Sequence, residues 1–324
     1  MSKGEFDLIE TYFAPLAAAE PGSLNLKDDA AVLRFGQGRE TVVTTDCLVS
    51  GVHFLPDDPP ETLAAKLIGV NFSDLASMGA TPRFFTIAAA FPRTLDEEWV
   101  RRFAEGIKGS QARFGGVLVG GDTVSTDGAM TLTLTAFGEV PEGTAIKRSG
   151  AKPGDALFVT GVIGDAYAGL RLLQGGYDHL PASDKDYLTE RYRKPSPQLE
   201  IGDMVRGIAS AMIDVSDGLA ADLGHLCEAS GVGGVVDSKA VPLSSAVAKL
   251  LAEHHLTYEE ILTGGDDYEL LFSVPANKIN DLEAVRLSFE TPISRIGTAK
   301  ESREVIFKDG NIRLDLDKTG YQHF

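Results

Sequence analysis

Cysteine is nearly absent. Cys47 and Cys227 are the only two in 324 residues, and they make neither a metal-binding spacing nor a disulfide framework. Such usage points to a reducing compartment, with cytoplasm as the default. No uncharged apolar run is long and hydrophobic enough to span a bilayer. The opening residues, MSKGEFDLIETYF, carry charges where a secretory leader needs an apolar core, so no signal peptide is expected. Basic residues are in deficit: Lys and Arg total 30 against 47 Asp and Glu, a net charge of −17. That balance argues against nucleic acid as a partner, which calls for a basic surface. Most such acidity serves solubility, and an anionic substrate would need divalent cations to screen it. Also missing are GxxxxGK[ST] and GxGxxG, the two common nucleotide fingerprints. HExxH and GxSxG are missing too, which removes zinc proteases and α/β-hydrolases.

What remains is a chain of soluble globular composition, 43% hydrophobic and 24% charged, long enough for two cores. The segment PEGTAIKRSGAKPGD, residues 141–155, is rich in turn formers and places a boundary between domains 1–149 and 150–324. Strands and helices alternate throughout, so the fold class is α/β or mixed α+β. Asn25 to Phe35 reads as a turn into a strand, with Asp28 and Asp29 at its entrance. Thr41 to Thr45 reads as a β-branched strand ending at Asp46, and Val117 to Val119 as a short strand ending in Gly120-Gly121-Asp122. Glu61 to Leu67 reads as a helix, with Gly69 interrupting it before the next helical stretch.

That next stretch, Lys66 to Arg83, contains one charge between its two bases, Asp74. Leu67, Asn71, Asp74, Leu75 and Met78 share a helical face, and the other faces carry Gly, Ala, Ser, Val and Phe. An ionised carboxylate buried there needs a counter-charge. Either a distant Arg, a set of hydrogen bonds or a metal ion provides it.

The same signal recurs along the chain. Apolar strands run into an Asp beside Gly, Ser or Thr at Asp46, Asp122, Asp214 and Asp217. Each alone suits a turn or cap. Together, without adjacent bases, they suggest hard cations with oxygen ligands, Mg²⁺ above all, and Thr44, Thr45 and Ser216 add oxygens. Gly120-Gly121 lets backbone N–H groups approach a phosphate, or simply forms a turn. Gly161-xx-Gly164 at a strand-to-helix turn is a second phosphate cradle by the same logic. Arg148 in the boundary loop suits a phosphate bidentately or lies in solvent. His53, one loop beyond Asp46, suits a substrate contact or a packing role.

TTDCLVSGVHF, VNFSDLASMGATP, VGGDT, KRSGAKPGD, IDVSDGLAADLGH and TGGDDYEL follow one another in this order. The set closely resembles the thiamine-monophosphate kinase family, within the ATP-binding superfamily of aminoimidazole ribonucleotide synthetase and selenophosphate synthetase. The similarity runs from Gly4 to Gly320 and beyond. It implies ATP-dependent phosphorylation of thiamine monophosphate to thiamine diphosphate. It also implies an N-terminal mixed or antiparallel sheet with helices that pairs across a homodimer, and a C-terminal α/β layered domain. Carried over residue by residue, Asp29, Thr44, Thr45, Asp46, Asp74, Asp122, Asp214 and Asp217 resemble Mg²⁺ ligands. Gly120, Gly121, Arg148 and Ser216 resemble ATP contacts, and His53 and Asp266 resemble substrate contacts. Three positions depart from the family pattern. Lys27 stands where Gly precedes the paired aspartates, and Asp266 stands where the family has the longer Glu. Lys318 aligns with a substrate-stacking aromatic, for which Tyr321 is the available substitute.

The implied reaction is in-line transfer between two polyanions, so positioning and electrostatics carry it rather than a strong base. Alternatives are another ATP-dependent enzyme of the superfamily, a Mg²⁺-dependent phosphohydrolase and a non-catalytic nucleotide-binding regulator. The N-terminal glycine-rich loop lacks the Cys that selenophosphate synthesis would call for.

Overall fold

The computed structural model describes residues 5–27, 31, 33–316, 320 and 321. Asp28, Asp29 and Lys318 lie outside them. The chain divides into two compact units. The first holds residues 1–75 and 80–143, and the second holds 76–79 and 144–324.

In the first unit, β1 (Arg39–Val49) leads to α1 (Pro60–Ser77), β2 (Thr81–Pro92), α2 (Glu97–Phe114), β3 (Val117–Thr126) and β4 (Thr131–Pro141). The sheet order is β1-β4-β2-β3. β4 pairs antiparallel with β1 and β2, whereas β2 and β3 are parallel, joined by α2 as crossover. The strand expected over Asn25–Phe35 does not form among the described residues. Pro21–Leu26 is instead a pair of short turns kinked at Leu24 and Asn25, both in the left-handed region.

The helix α1 runs unbroken through Gly69, contrary to expectation. A helical Gly costs about 1 kcal/mol relative to Ala. Ile68, Phe72 and Leu75 around it are fully buried, each contributing about 1.5–3 kcal/mol, so burial decides. The helix α2 starts where Asp96 accepts a hydrogen bond from Trp99 N at 2.8 Å. It lies tight against α1: a Cβ on Gly106 would sit 2.4 Å from the Glu61 carbonyl oxygen.

In the second unit, the elements are β5 (Ala156–Thr160), α3 (Asp165–Leu173), α4 (Ala182–Arg193), α5 (Leu199–Met204), β6 (Ala211–Asp214), α6 (Leu219–Ser230) and β7 (Gly233–Asp237). They continue with α7 (Ser245–Ala252), α8 (Tyr258–Thr263), β8 (Leu270–Val274), α9 (Ile279–Arg286), β9 (Ile293–Lys300), β10 (Val305–Asp309) and β11 (Ile312–Arg313). The seven-stranded sheet has the order β11-β10-β7-β9-β5-β8-β6. Both of its faces are covered. Leu157 and Val159 of β5 join one core with Leu219, Leu223 and Leu226 of α6. Ala156 and Phe158 join the other with Ile201 of α5 and Leu282 of α9. This alternation buries a strand on both sides and accounts for the short, wholly apolar runs. Only β7 and β10 are parallel; the other pairs run antiparallel. Carboxyl ends of neighbouring strands therefore do not share one edge, and the acids are not gathered in the manner of a doubly wound sheet.

Gly106 and Gly109 of α2 give a matched test of the packing. Gly106→Ala is expected to lower the melting temperature despite the better helix propensity, because its Cβ meets α1 backbone. Gly109 has nothing within 4 Å of its Cβ position, so Gly109→Ala is expected to gain up to about 1 kcal/mol in denaturant unfolding.

Candidate active site

Asp46 and Asp122 are not at strand ends. Both sit inside longer strands, Asp46 in β1 and Asp122 in β3. The register separates them. Asp46 is in line with Leu134 and Ile87, both buried against the helices. Asp122 pairs with Ala88, which is in line with Thr133 and Cys47 one step further along. Residues one step apart on a strand face opposite sides. Asp46 and Asp122 thus lie on opposite faces and opposite edges, three strand spacings or about 14 Å apart.

On the helix side, the structure does bring predicted residues together. The Thr44 hydroxyl donates to Asp74 across a short contact. Asn71, one turn before Asp74, accepts a hydrogen bond from Asp46 N at 3.0 Å. So β1 is fastened to the buried Asn71 and the half-buried Asp74 of α1, and Asp74 is not isolated in an apolar core. Thr45 points the other way, donating to Leu134 O at 3.0 Å and accepting from Thr135 at 3.1 Å. A Cβ on Gly121 would lie 2.1 Å from Ile87 O, so strand contact alone demands this glycine. His53 lies in the turn after β1, where its Nδ1 accepts from Val49 N at 3.0 Å. The neutral ring then carries its proton on Nε2.

The second unit gathers the remaining predicted residues around one loop, Val215–Gly218, between β6 and α6. Asp214 ends β6 and is buried. Asp222, on the first turn and a half of α6, accepts from both Ser216 N and Asp217 N at 3.0 Å. Asp266 N donates to Ser216 O at 2.8 Å, and Tyr321 N donates to Asp217 O at 3.0 Å. Asp214, Ser216, Asp217, Asp266 and Tyr321 are therefore neighbours. Burial, then the adjacent Asp214 and Asp217 carboxylates, push the Asp222 carboxyl up to about 8. Ligand atoms of Asp217, Asp222 and His225 all lie within 4.8 Å of one another. Crowded oxygen donors of like charge fit a hard divalent cation. Asp222 and His225 went unread in the sequence; their signal was an i+4 and i+7 position beyond Gly218 on the helix. Arg148 is exposed, with its carbonyl bound by the Ser230 hydroxyl at 3.1 Å.

The Gly161-xx-Gly164 turn is not an open phosphate cradle. Gly164 N and Ala166 N, at the start of α3, donate to the Asp267 carboxyl oxygens at 2.8 and 3.3 Å. Gly161 N and Ile163 N donate to the carbonyls of Pro292 and Pro242. Beside Asp267 lie two more buried acids, Asp165 and Glu269, both paired with the Arg191 guanidinium. Burial pushes all three carboxyls up, Asp267 to about 8, against the pull of Arg191.

The two units match the two AIR synthase related protein models, N-terminal domain over residues 27–140 and C-terminal domain over residues 152–310. Thiamine-monophosphate kinase of Escherichia coli K12 is 40% identical over 100% of this chain and 99% of its own length. The crystal structure of thiamine-monophosphate kinase from Stenotrophomonas maltophilia superposes with a TM-score of 0.85 at 36% identity, covering 95% of this chain and 98% of that one. A structure of AaThiL complexed with AMPPCP and TMP superposes with a TM-score of 0.79 at 30% identity, over 99% and 97% of the two chains.

The buried acids fix the sign of a pH effect. Because Asp267 titrates above its ordinary 3.8, the folded protein holds a proton that the unfolded chain releases. The stability tied to that proton is complete below the unfolded value and is lost as the pH rises through about 8. Thermal melts are expected to show a midpoint that falls between about pH 4 and about pH 8 and levels off above it, and Asp267→Asn should reduce that slope.

Proposed function

The chain belongs to the AIR synthase related family and, within it, to the thiamine-monophosphate kinases, and on that premise we propose how its residues carry the reaction. The enzyme phosphorylates thiamine monophosphate to thiamine diphosphate with ATP. The reading of the site rests on one observation, the crowding of Asp214, Asp217 and Asp222 around a loop whose next contacts are Asp266 and Tyr321. In this reading Asp214 and Asp217 would hold Mg²⁺ in the second unit, and Thr44, Asp46 and Asp74 would hold it in the first; Thr45, whose hydroxyl is turned to the other face, would offer only its carbonyl oxygen, and Asp29, outside the described residues, is carried over from the resemblance alone. Their donors are carboxylates and hydroxyls, the ligand types Mg²⁺ prefers. When bound, the ion screens the repulsion between two polyphosphorylated reactants.

The chain's own residues do the rest. Gly120, Gly121, Arg148 and Ser216 bind ATP, and Arg148 is exposed and able to swing onto a phosphate. His53 presents Nε2–H, and Asp266 presents a carboxylate, to the acceptor, with Tyr321 at the edge of the same loop. The attacking phosphate oxygen is already anionic near neutral pH. No residue is required to remove a proton from it, and in-line alignment is the main task.

The 14 Å between Asp46 and Asp122 is accommodated by a homodimer. The outward face of the first sheet, on which Asp122 lies, exposes the apolar Val43, 56%, and Val124, 51%, beside the Thr131, Thr133 and Thr135 row of β4. Such a patch suits a second copy. We place Asp122 in a site it shares with the partner's acids rather than with Asp46 of its own chain.

Incubation with Mg²⁺, ATP and thiamine monophosphate should yield thiamine diphosphate and ADP, while ATP alone should stay largely intact. ATP hydrolysis without transfer would refute the assignment. Asp74→Asn is expected to keep the fold and cut turnover by at least about 100-fold, the scale of a lost electrostatic stabiliser. Asp74→Asn and Asp122→Asn subunits, each inactive alone, should regain about a quarter of wild-type activity on subunit mixing, because half the dimers then carry one intact site. No regain, or a monomer by light scattering, would contradict the shared site.

A further inference from the structure

The segment Gly264-Gly265-Asp266-Asp267-Tyr268-Glu269 sends its side chains two ways. Asp267 and Glu269 point inward and are 2% and 1% exposed. Neither can touch a substrate. Asp266 and Tyr268 are both in the left-handed backbone region, with φ of +73° and +52°. Residues with a Cβ hold that conformation only where their surroundings impose it. Here the imposing contacts are on the page. Asp267 is tied by Gly164 N and Ala166 N. Glu269 is tied by the Thr160 hydroxyl at 2.7 Å and the Arg191 guanidinium at 2.9 Å. Alternating with these two anchors, the backbone N–H groups of Asp266 and Tyr268 reach Ser216 O and Val215 O, each at 2.8 Å. The Tyr268 hydroxyl then donates to Asp266 Oδ1 at 3.2 Å.

We propose that Asp267 and Tyr268 are positioning residues for acceptor recognition: Asp267 fixes the backbone of the turn, and Tyr268 aims the Asp266 carboxylate. The proposal rests on the reading of Asp266 as an acceptor contact. It gives the α3 N-terminus a use other than phosphate binding. Its N–H groups are spent on holding the turn, and the turn in turn holds Asp266 beside the Ser216–Asp217 loop. It also addresses the shorter side chain. An Asp where the family has Glu has one bond less of freedom, and a hydroxyl partner fixes what freedom remains.

The test is a steady-state comparison of the full-length enzyme and four variants: Asp266→Asn, Asp267→Asn, Tyr268→Phe and the double Asp266→Asn with Asp267→Asn. Asp267 uses one oxygen for each N–H donor, so Asn retains one bond and turns an amide NH₂ on the other. Asp267→Asn should raise KM for thiamine monophosphate about tenfold while KM for ATP and kcat stay within about twofold, the pattern of lost ground-state binding. Tyr268→Phe keeps the volume and the fold, and should raise the same KM about threefold. The double variant should be no worse than Asp266→Asn alone, because both changes act through one carboxylate. If Asp267→Asn fails to fold, Tyr268→Phe decides. Acceptor KM at the wild-type value in Asp267→Asn or Tyr268→Phe, with Asp266→Asn impaired, overturns the proposal and leaves the reading of Asp266 standing. So does a double variant whose effects multiply. Wild-type acceptor KM in Asp266→Asn overturns both.

Discussion

Carboxylates repel one another, and burial makes each of them costlier to ionise. The second unit is arranged around that constraint. Asp214, Asp217 and Asp222 are crowded at the end of β6, close enough that, on top of burial, the first two raise the third. Two of the three are bound into one loop: Asp222 takes the N–H groups of Ser216 and Asp217, so the loop cannot relax to spread the charges. Crowding that the fold enforces is useful only if a cation resolves it. The enzyme's two reactants bring the same difficulty, since both carry phosphate. On the proposed reading a single class of ligand, the divalent cation, would relieve the repulsion within the protein and between the substrates.

The same unit uses buried carboxyls in a second, self-contained way. Asp165, Asp267 and Glu269 find their relief internally, from Arg191, the Thr160 hydroxyl and the start of α3. The two clusters stand on adjacent turns of chain: Val215 N binds Glu269 O, and Asp266 N binds Ser216 O. One cluster has its oxygens taken up by partners within the fold, and the other crowds its carboxyls around a loop that also meets Asp266 and Tyr321. A rigid support beneath a polar, ligand-seeking loop is the arrangement expected where geometry must be held without the ligand's help.

The class of fold and its division into two units are legible in the sequence. The apolar runs of β5, β6 and β8 mark strands buried on both faces, and the motif around Asp214–Gly218 marks a strand-to-helix turn that the structure reproduces. The failures share a physical origin in tertiary contacts. β1 and β3 continue beyond Asp46 and Asp122 through Cys47, Leu48, Thr123 and Val124, because β4 and β2 pair with them; local composition reads as loop. Gly69 reads as a break in the sequence because propensity is local while the burial that overrides it is not. The turn at Gly161–Gly164 resembles a phosphate cradle until Asp267 enters, 103 residues later in the chain. Thr44 and Asp74, 30 residues apart, meet only because β1 packs on α1.

The central claim is that the fold holds like charges together so that a divalent cation is drawn in among them. The direct measurement is Mn²⁺ binding by electron paramagnetic resonance, with Mn²⁺ standing in for Mg²⁺, on wild-type enzyme and on Asp214→Asn and Asp217→Asn in the presence of a non-hydrolysable ATP analogue. The account predicts that each variant loses bound Mn²⁺ relative to wild type while its circular dichroism and melting behaviour remain native. Unchanged Mn²⁺ stoichiometry and affinity in both variants would contradict it.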